Sequence, residues 1–495
     1  LTVAAGAGVT LNGLTIADGY TPGDGGAIHS AGSLTHVSCT LSGNRAGDHG
    51  GAIANRGSLT LTASTLSDNG AGIHGGAIYN LGTLTVADST LSGNTASVDG
   101  GAIENGGSAT VRGSTFRDNT ASQHGGAIDT YDRLLVVNST FYANRADDEG
   151  GAIYNWHALT VEHATLVGNR AGHYGGGLHN RPGATLHLAN SIIAHSPLGG
   201  DCFGADEADI ATNAANLIAD GSCAPALDGD PLLGPLGEYG GPVATFPLLP
   251  GSPAINAGDS AHCAPADQRG ALRPQGEACD IGAYEVRLAG AATGGAEDVT
   301  ASGATLLGTV TAQEGDATAA FQYGETPEYG GKGAAEPVTV PDGESADVRL
   351  VLGDLLPNTT YHYRVGAANH AGVAHGRDAT FTSLRVPPAA VTGLATDVST
   401  TGAVLHATVN AHNDEAIVVF HFGPEDTDGE TIAAEPSTVS GMEDTAVRAV
   451  LTGLAPGTTY RYRVVAANGA GEAQGEDGTF TTAPPRITHL PLLYR

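Results

Sequence analysis

Short runs of alternating apolar and polar residues recur through the first part of the chain, Leu59-Thr60-Leu61 and Leu84-Thr85-Val86 among them. Alternation with period two over so few residues predicts β-strands rather than helical faces. The runs belong to a repeat. Gly-Gly-Ala-Ile begins at Gly25, Gly50, Gly75, Gly100, Gly125 and Gly150, and Gly-Gly-Gly-Leu at Gly175, every step being 25 residues. Leu/Phe-x-x-Asn ends at Asn44, Asn69, Asn94, Asn119, Asn144 and Asn169 with the same step. Residues 9–19 read as an earlier, partial unit, with Ile16 in register with Leu41.

A unit of this length, built of short strands and tight turns, cannot bury its apolar face alone. Stacking buries it, so each unit predicts one coil of a parallel β-helix, with neighbouring coils about 4.8 Å apart. Residues i and i+25 then lie above one another. Ile28, Ile53, Ile78, Ile103, Ile128, Ile153 and Leu178 form one interior stack, and Leu41, Leu66, Leu91, Phe116, Phe141 and Leu166 another. The motif asparagines form a ladder whose amides bond from coil to coil. Asn55, Asn80, Asn105, Asn155 and Asn180 form a second ladder, interrupted by Thr130. Cys39, in the column of Ser64, Ser89, Ser114 and Ser139, reads as a small buried residue.

These two motifs, recurring in register over roughly residues 9–196, resemble the polymorphic outer membrane protein repeat, a member of the pectin-lyase-like right-handed β-helices. The resemblance implies a secreted or surface protein, often an adhesin. Beyond residue 200 proline rises and the register fades. Asp230-Pro231-Leu232-Leu233, Gly251-Ser252-Pro253-Ala254-Ile255-Asn256-Ala257-Gly258, Asp267-Gln268-Arg269-Gly270 and Cys279-Asp280-Ile281-Gly282-Ala283-Tyr284-Glu285 resemble the choice-of-anchor Q module that follows such β-helices. This stretch is expected to finish the last coils and cover the end of the spiral, whose strand edges otherwise invite pairing. Its four cysteines allow three connectivities; proximity pairs Cys202 with Cys223 and Cys263 with Cys279. Disulfides imply an extracytoplasmic, extracellular location.

The remaining chain repeats with a period of 99: Phe321 with Phe420, Pro357 with Pro456, Tyr361 with Tyr460, Phe381 with Phe480. Leu355-x-Pro357-x-Thr359-x-Tyr361 and its copy resemble the tyrosine corner of fibronectin type III domains, without the tryptophan usual in their early strands. Pro387-Pro388 marks a stiff junction between the copies. The expected fold is therefore all-β, a right-handed parallel β-helix of 25-residue coils followed by two β-sandwich domains. Its parts are coils over 1–200, a disulfide-stapled end over 201–287, sandwiches over 288–387 and 388–486, and an apolar tail over 487–495.

Composition narrows the partners. With 74 Gly, 5 % aromatic residues and a net charge of −31, the chain is rich in turns and strongly acidic. Nucleic acid and anionic membranes are poor partners for such a surface. No apolar run is long enough to make a transmembrane segment, and the start at Leu1 suggests that a leader has been removed.

Parallel β-helices often cleave acidic polysaccharides, so catalysis has to be weighed. The only lysine, Lys332, falls in a sandwich and supplies no base to the coils. Asp68 and Asp118 share a column with Gly43, Gly93 and Gly168, which marks a turn rather than a paired-carboxylate site. The suggestive column precedes the Gly pairs: Asp24, His49, His74, Asp99, His124, Glu149 and Tyr174. His49 and His74 could hold a divalent metal between coils, and Asp99, His124 and Glu149 an acid–base group. A solvated corner in which His and carboxylate alternate accounts for the same line, and is the expectation here. Asp426-Thr427-Asp428-Gly429-Glu430 begins like a calcium loop but lacks the rest of the pattern and reads as a hairpin turn, so no cofactor is expected, with calcium the weak alternative.

The sequence thus points to a non-catalytic extracellular structural or adhesive surface protein, with a glycan or cell-surface molecule as ligand. Self-association is expected through Leu1 and Val3 at one end and Ile487, Leu490, Leu492, Leu493 and Tyr494 at the other, giving a filament or sheath. A carbohydrate-binding or polysaccharide-cleaving β-helix enzyme is the alternative.

Overall fold

A computed structural model describes residues 1–204, 210–424 and 429–485. Two compact units result, one of Leu1–Leu288 with Asn369–Val373, the other of Ala289–Ala368 with the residues from Ala374 on. No α-helix occurs among the described residues, so none is long and apolar enough to cross a membrane.

The first unit is a parallel β-helix. Each coil contributes a strand to each of three nine-stranded sheets, and a fourth sheet has seven two-residue strands. The first sheet runs from Thr2–Val3 through Ile28–Ser30 and Ile53–Asn55 to Cys202–Gly204. The second contains Ser33–Val37 and Ser58–Thr62, and the third Thr40–Ser42 and Thr65–Ser67. Pairing is in register with the repeat: Ile53 lies on Ile78, Leu59 on Leu84, Leu66 on Leu91. The interior columns are completely buried, and Phe116 stacks on Phe141 with ring centroids 4.8 Å apart. Burial of each such side chain is worth roughly 1.5–3 kcal/mol, which is what the repeat secures by stacking.

Turns are specified as sharply as strands. Asp18, Gly43, Asp68, Gly93, Asp118, Ala143 and Gly168 occupy one bend column, and all have positive φ, from 53 to 63°. Asp and Gly tolerate that conformation best, which accounts for Asp68 and Asp118 without chemistry. At the bend the asparagine ladder closes the backbone. Asn69 Nδ2 donates to Asn94 Oδ1 at 3.0 Å and to Leu41 O at 3.0 Å, while Asn94 Nδ2 donates to Asn119 Oδ1 at 2.9 Å. The bonds run unbroken from Asn44 to Asn169. In the second ladder Thr130 takes over as acceptor, its Oγ1 lying 3.0 Å from Asn105 Nδ2.

Cys202 is disulfide-bonded to Cys223 and Cys263 to Cys279, while Cys39 is free and buried. After supplying the strands Cys202–Gly204, Ile210–Ala214 and Leu217–Ile218, the chain turns back along the outward face of the third sheet. Thr115 Oγ1 donates to Ala244 O at 2.6 Å, Thr140 Oγ1 to Gln268 Oε1 at 2.7 Å, and Ala283 N to Thr165 Oγ1 at 2.9 Å. The stretch therefore covers a flank of the coils, and its Leu227 also pairs in parallel with Leu217 on the last strand of the third sheet. Two ion pairs hold it, Asp267 with Arg269 and Arg273 with Glu285, each at 2.8 Å and each desolvated on both sides. Arg269 also lies over the Tyr284 ring, 3.5 Å from its centroid. The motif residues of this stretch are thus its own fastenings.

In the second unit two antiparallel sandwiches repeat one another. In the first, the strand Gly331–Val340 belongs to both sheets, and in the second Glu430–Gly441 does. Phe321 and Phe420 are the fully buried centres. The tyrosine corners are formed: Leu356 N donates to Tyr361 Oη and Ala455 N to Tyr460 Oη, both at 2.9 Å. Asn413 Nδ2 donates to Pro357 O at 3.0 Å and to Thr359 Oγ1 at 2.8 Å, bridging the copies. Asp426 and Asp428 of the stretch that begins like a calcium loop, and the tail residues Ile487, Leu490, Leu492, Leu493 and Tyr494, lie outside the described residues.

Candidate functional site

In the three-residue strands of the first sheet the first and third residues point inward, as in Ile103 and Asn105, so the middle one faces outward. The outward column reads Ala54, Tyr79, Glu104, Asp129, Tyr154, His179 and Phe203. On one side it is flanked by the polar column His49, His74, Asp99, His124, Glu149 and Tyr174, on the other by Arg56, Leu81, Gly106, Tyr131, Trp156 and Arg181. The sheet face thereby gathers acids and aromatic rings into three adjoining rows.

Asp99 is the hub. Its Oδ1 accepts from the backbone N–H of His124 and lies 3.0 Å from His124 Nδ1, while its Oδ2 lies 3.3 Å from His74 Nδ1. Burial pushes the Asp99 carboxyl up, but the hydrogen bonds from His124 and the contact with His74 outweigh it and hold the group well below the usual carboxylate range. His124, also raised against its own burial, answers Asp99 by remaining protonated more readily. Its Nε2 lies 3.6 Å from Asp148 Oδ2, and Asp148 Oδ1 is 2.6 Å from His173 Nδ1.

Asp129 and Glu104 behave in the opposite way. They are register neighbours, 0 % and 5 % exposed. Both oxygens of Asp129 and Oε2 of Glu104 are buried without a hydrogen-bond partner. Burial pushes both carboxyls well above the usual range, helped at Glu104 by the charges of Asp129 and Asp99 and at Asp129 by that of Asp99. The Trp156 indole N–H and the Thr130 backbone N–H face Asp129 but lie outside hydrogen-bonding geometry.

Aromatic rings enclose these acids. Tyr131 stacks on Trp156 with centroids 4.9 Å apart, Tyr154 stacks on His179 at 4.6 Å, and Arg181 lies over Trp156 at 4.5 Å. Tyr131 and Tyr174 nevertheless keep 43 % and 51 % of their surface in solvent. Burial lowers His179 to about 4, so it is neutral at physiological pH.

Of the residues expected from sequence, His74, Asp99 and His124 converge. His49 and His74 instead stack face to face at 5.2 Å with rings 2° from parallel, which does not aim their nitrogens at one point. Glu149 is turned toward Tyr154 and lies 3.9 Å from His179 Nδ1 rather than joining Asp99. Sequence reasoning missed Glu104, Asp129, Tyr131, Tyr154 and Trp156. The signal was there: two successive acids in a strand-centre column whose other members from Ala54 to Phe203 are Ala, His or aromatic. A second convergence, His163 with Cys263 and Cys279, is closed by the disulfide.

Residues 35–193 match the family model described as a right-handed β-helix region. Among curated proteins the chain is 32 % identical over 153 residues to Endoglucanase B of Cellulomonas fimi, which takes in 29 % of this chain and 14 % of that protein. It is 31 % identical over 142 residues to the receptor-type tyrosine-protein phosphatase eta of Gallus gallus, covering 28 % of this chain and 9 % of that protein. The chain thus spans a small part of either relative. Among solved structures, the chicken CNTN1 FN1–FN3 domains share 20 % identity over 39 % of this chain and 68 % of that one, with a TM-score of 0.24. The sensor domain of the anti-sigma factor RsgI4 of Pseudobacteroides cellulosolvens shares 16 % over 21 % of this chain and 97 % of that one, TM-score 0.16.

Proposed function

We propose that the chain is an extracellular glycan-binding protein, adhesive in role, whose ligand lies along the outward face of the first sheet. The observation that carries this reading is the half-exposed platform of Tyr131 and Trp156 beside a row of acids and imidazoles. Sugar rings offer apolar C–H faces that pack on aromatic planes and hydroxyl groups that bond to carboxylate and imidazole, so such a surface suits them on both counts. The strand spacing of about 4.8 Å, near the length of a sugar unit, lets successive coils meet successive residues of a polymer. The disulfides support an extracellular setting. The partial likeness to an endoglucanase agrees with a carbohydrate partner without carrying the argument.

Retention of the full chain on a panel of insoluble polysaccharides tests the proposal. Retention on at least one polymer is expected, weakened about tenfold or more by Tyr131→Ala. Binding to none, or binding indifferent to Tyr131, overturns it. One observation favours a second reading, glycan cleavage: Asp99 is held ionised beside two carboxyls, Glu104 and Asp129, that are pushed toward protonation. Released reducing ends that disappear in Asp99→Asn would turn the binder into an enzyme. Self-association through residues 487–495 belongs to the same proposal, and sedimentation of the chain with and without them tests it.

A further inference from the structure

We propose that Asp99, His124 and Asp129, with Glu104 beside them, form a binding site for one divalent transition-metal ion. Ligand atoms of Asp99, His124 and Asp129 lie within 4.8 Å of one another. Metal bonds of about 2.0–2.2 Å at tetrahedral angles place ligand atoms roughly 3.4 Å apart, so small side-chain rotations close the set. Asp99 Oδ1 and His124 Nδ1 are already 3.0 Å apart.

The independent observation is Asp129 itself. It is fully buried, aimed into this cluster, and neither of its oxygens has a hydrogen-bond partner. A buried carboxylate without a partner is costly, and here a second, Glu104, is stacked on it by the strand register. A dication removes the repulsion among the three acids and supplies the missing partner at once. The surroundings are those of a metal-bound histidine. With Nδ1 on the ion, His124 Nε2–H faces Asp148, 3.6 Å away, and Asp148 is in turn bonded to His173. A carboxylate on the far nitrogen fixes the ring and raises its basicity as a ligand. His74, 3.3 Å from Asp99 Oδ2, steadies the other side. One imidazole with a few carboxylates suits zinc and its neighbours; calcium seeks six to eight oxygens and no nitrogen.

The site does not depend on the glycan reading, and the test separates them. The full chain, stripped with chelator, is titrated calorimetrically with Zn²⁺ and with Ca²⁺ near neutral pH. One tight equivalent of Zn²⁺ is expected, lost in Asp129→Asn and weakened about 10–100-fold in Asp148→Asn. Zn²⁺ titration and glycan retention are measured separately on the full chain, so either reading can fail without the other. No tight equivalent, an equivalent that survives Asp129→Asn, or tighter binding of Ca²⁺ than of Zn²⁺ overturns the proposal. Circular dichroism checks folding, and if Asp129→Asn does not fold, loss of the equivalent in His124→Gln serves in its place.

Discussion

His36 sits where the interior column of the second sheet otherwise carries leucine or valine, between Leu11 and Leu61. It is fully buried, and neither ring nitrogen has a hydrogen-bond partner. Burial lowers its pKa to about 4 from 6.5. Above pH 6.5 the ring is neutral in both folded and unfolded chains. Between 6.5 and 4 the unfolded chain takes up a proton that the folded one refuses, so stability falls with pH by up to roughly 3 kcal/mol. His36→Leu should remove this share of the acid loss and raise stability near pH 7.5 by about 1–3 kcal/mol, since two unpartnered nitrogens vanish. Urea midpoints at pH 7.5 and 4.5 check both, and an unchanged difference between them refutes the assignment. His163, lowered to about 3, and His179 add to the same window and keep the variant from abolishing the slope. At this scale the sequence is uneven. Asp68 and Asp118 could be read as turn residues because a bend leaves few choices. Glu104 and Asp129 could not be read as buried, since the cluster of Tyr131, Tyr154 and Trp156 rings beside them is assembled from two successive coils.

Among the elements, the asparagine ladder is where backbone and side chain share one hydrogen-bond system. Asn94 Oδ1 accepts from both the backbone N–H and the side-chain amide of Asn69, and its own amide donates to Leu66 O and Asn119 Oδ1. Asn94→Ala therefore strands two donors and an acceptor in the interior. At about 1–3 kcal/mol for an abandoned partner, a loss of roughly 2–5 kcal/mol is expected by chemical denaturation. Asn105→Ala, which abandons Arg133 O and the amide contact from Asn80, should cost less, because its column already tolerates Thr130. Equal costs would mean that the two ladders do not differ as their bonding suggests. The elements were the most legible part of the sequence, and for a physical reason. In a solenoid each coil meets only its neighbours, so one period states every long-range pairing. Where the period stops the reading weakens: the return of the chain along the third sheet is held by Gln268 and Thr140, a pair 128 residues apart that no repeat announces.

For the molecule as a whole, the division into two units has a measurable consequence. Both disulfides, Cys202–Cys223 and Cys263–Cys279, belong to the first unit, closing separations of 21 and 16 residues. Loops of that size restrict the unfolded chain by about 3 kcal/mol each. The second unit contains neither bridge; its sandwiches rely on Phe321 and Phe420 and on the tyrosine corners. Reduction should therefore act on one unit alone. Scanning calorimetry of the full chain is expected to show two transitions, with reductant lowering only that of the β-helix, by roughly 2–4 °C for each kcal/mol lost. The Cys263–Cys279 bridge should account for much of the shift, because it fastens the stretch whose backbone and Gln268 side chain bond to Thr115, Thr140 and Thr165. Cys202→Ser with Cys223→Ser, compared with Cys263→Ser with Cys279→Ser, separates the two contributions. If reduction moves both transitions together, the units unfold as one and their separate cores do not govern stability.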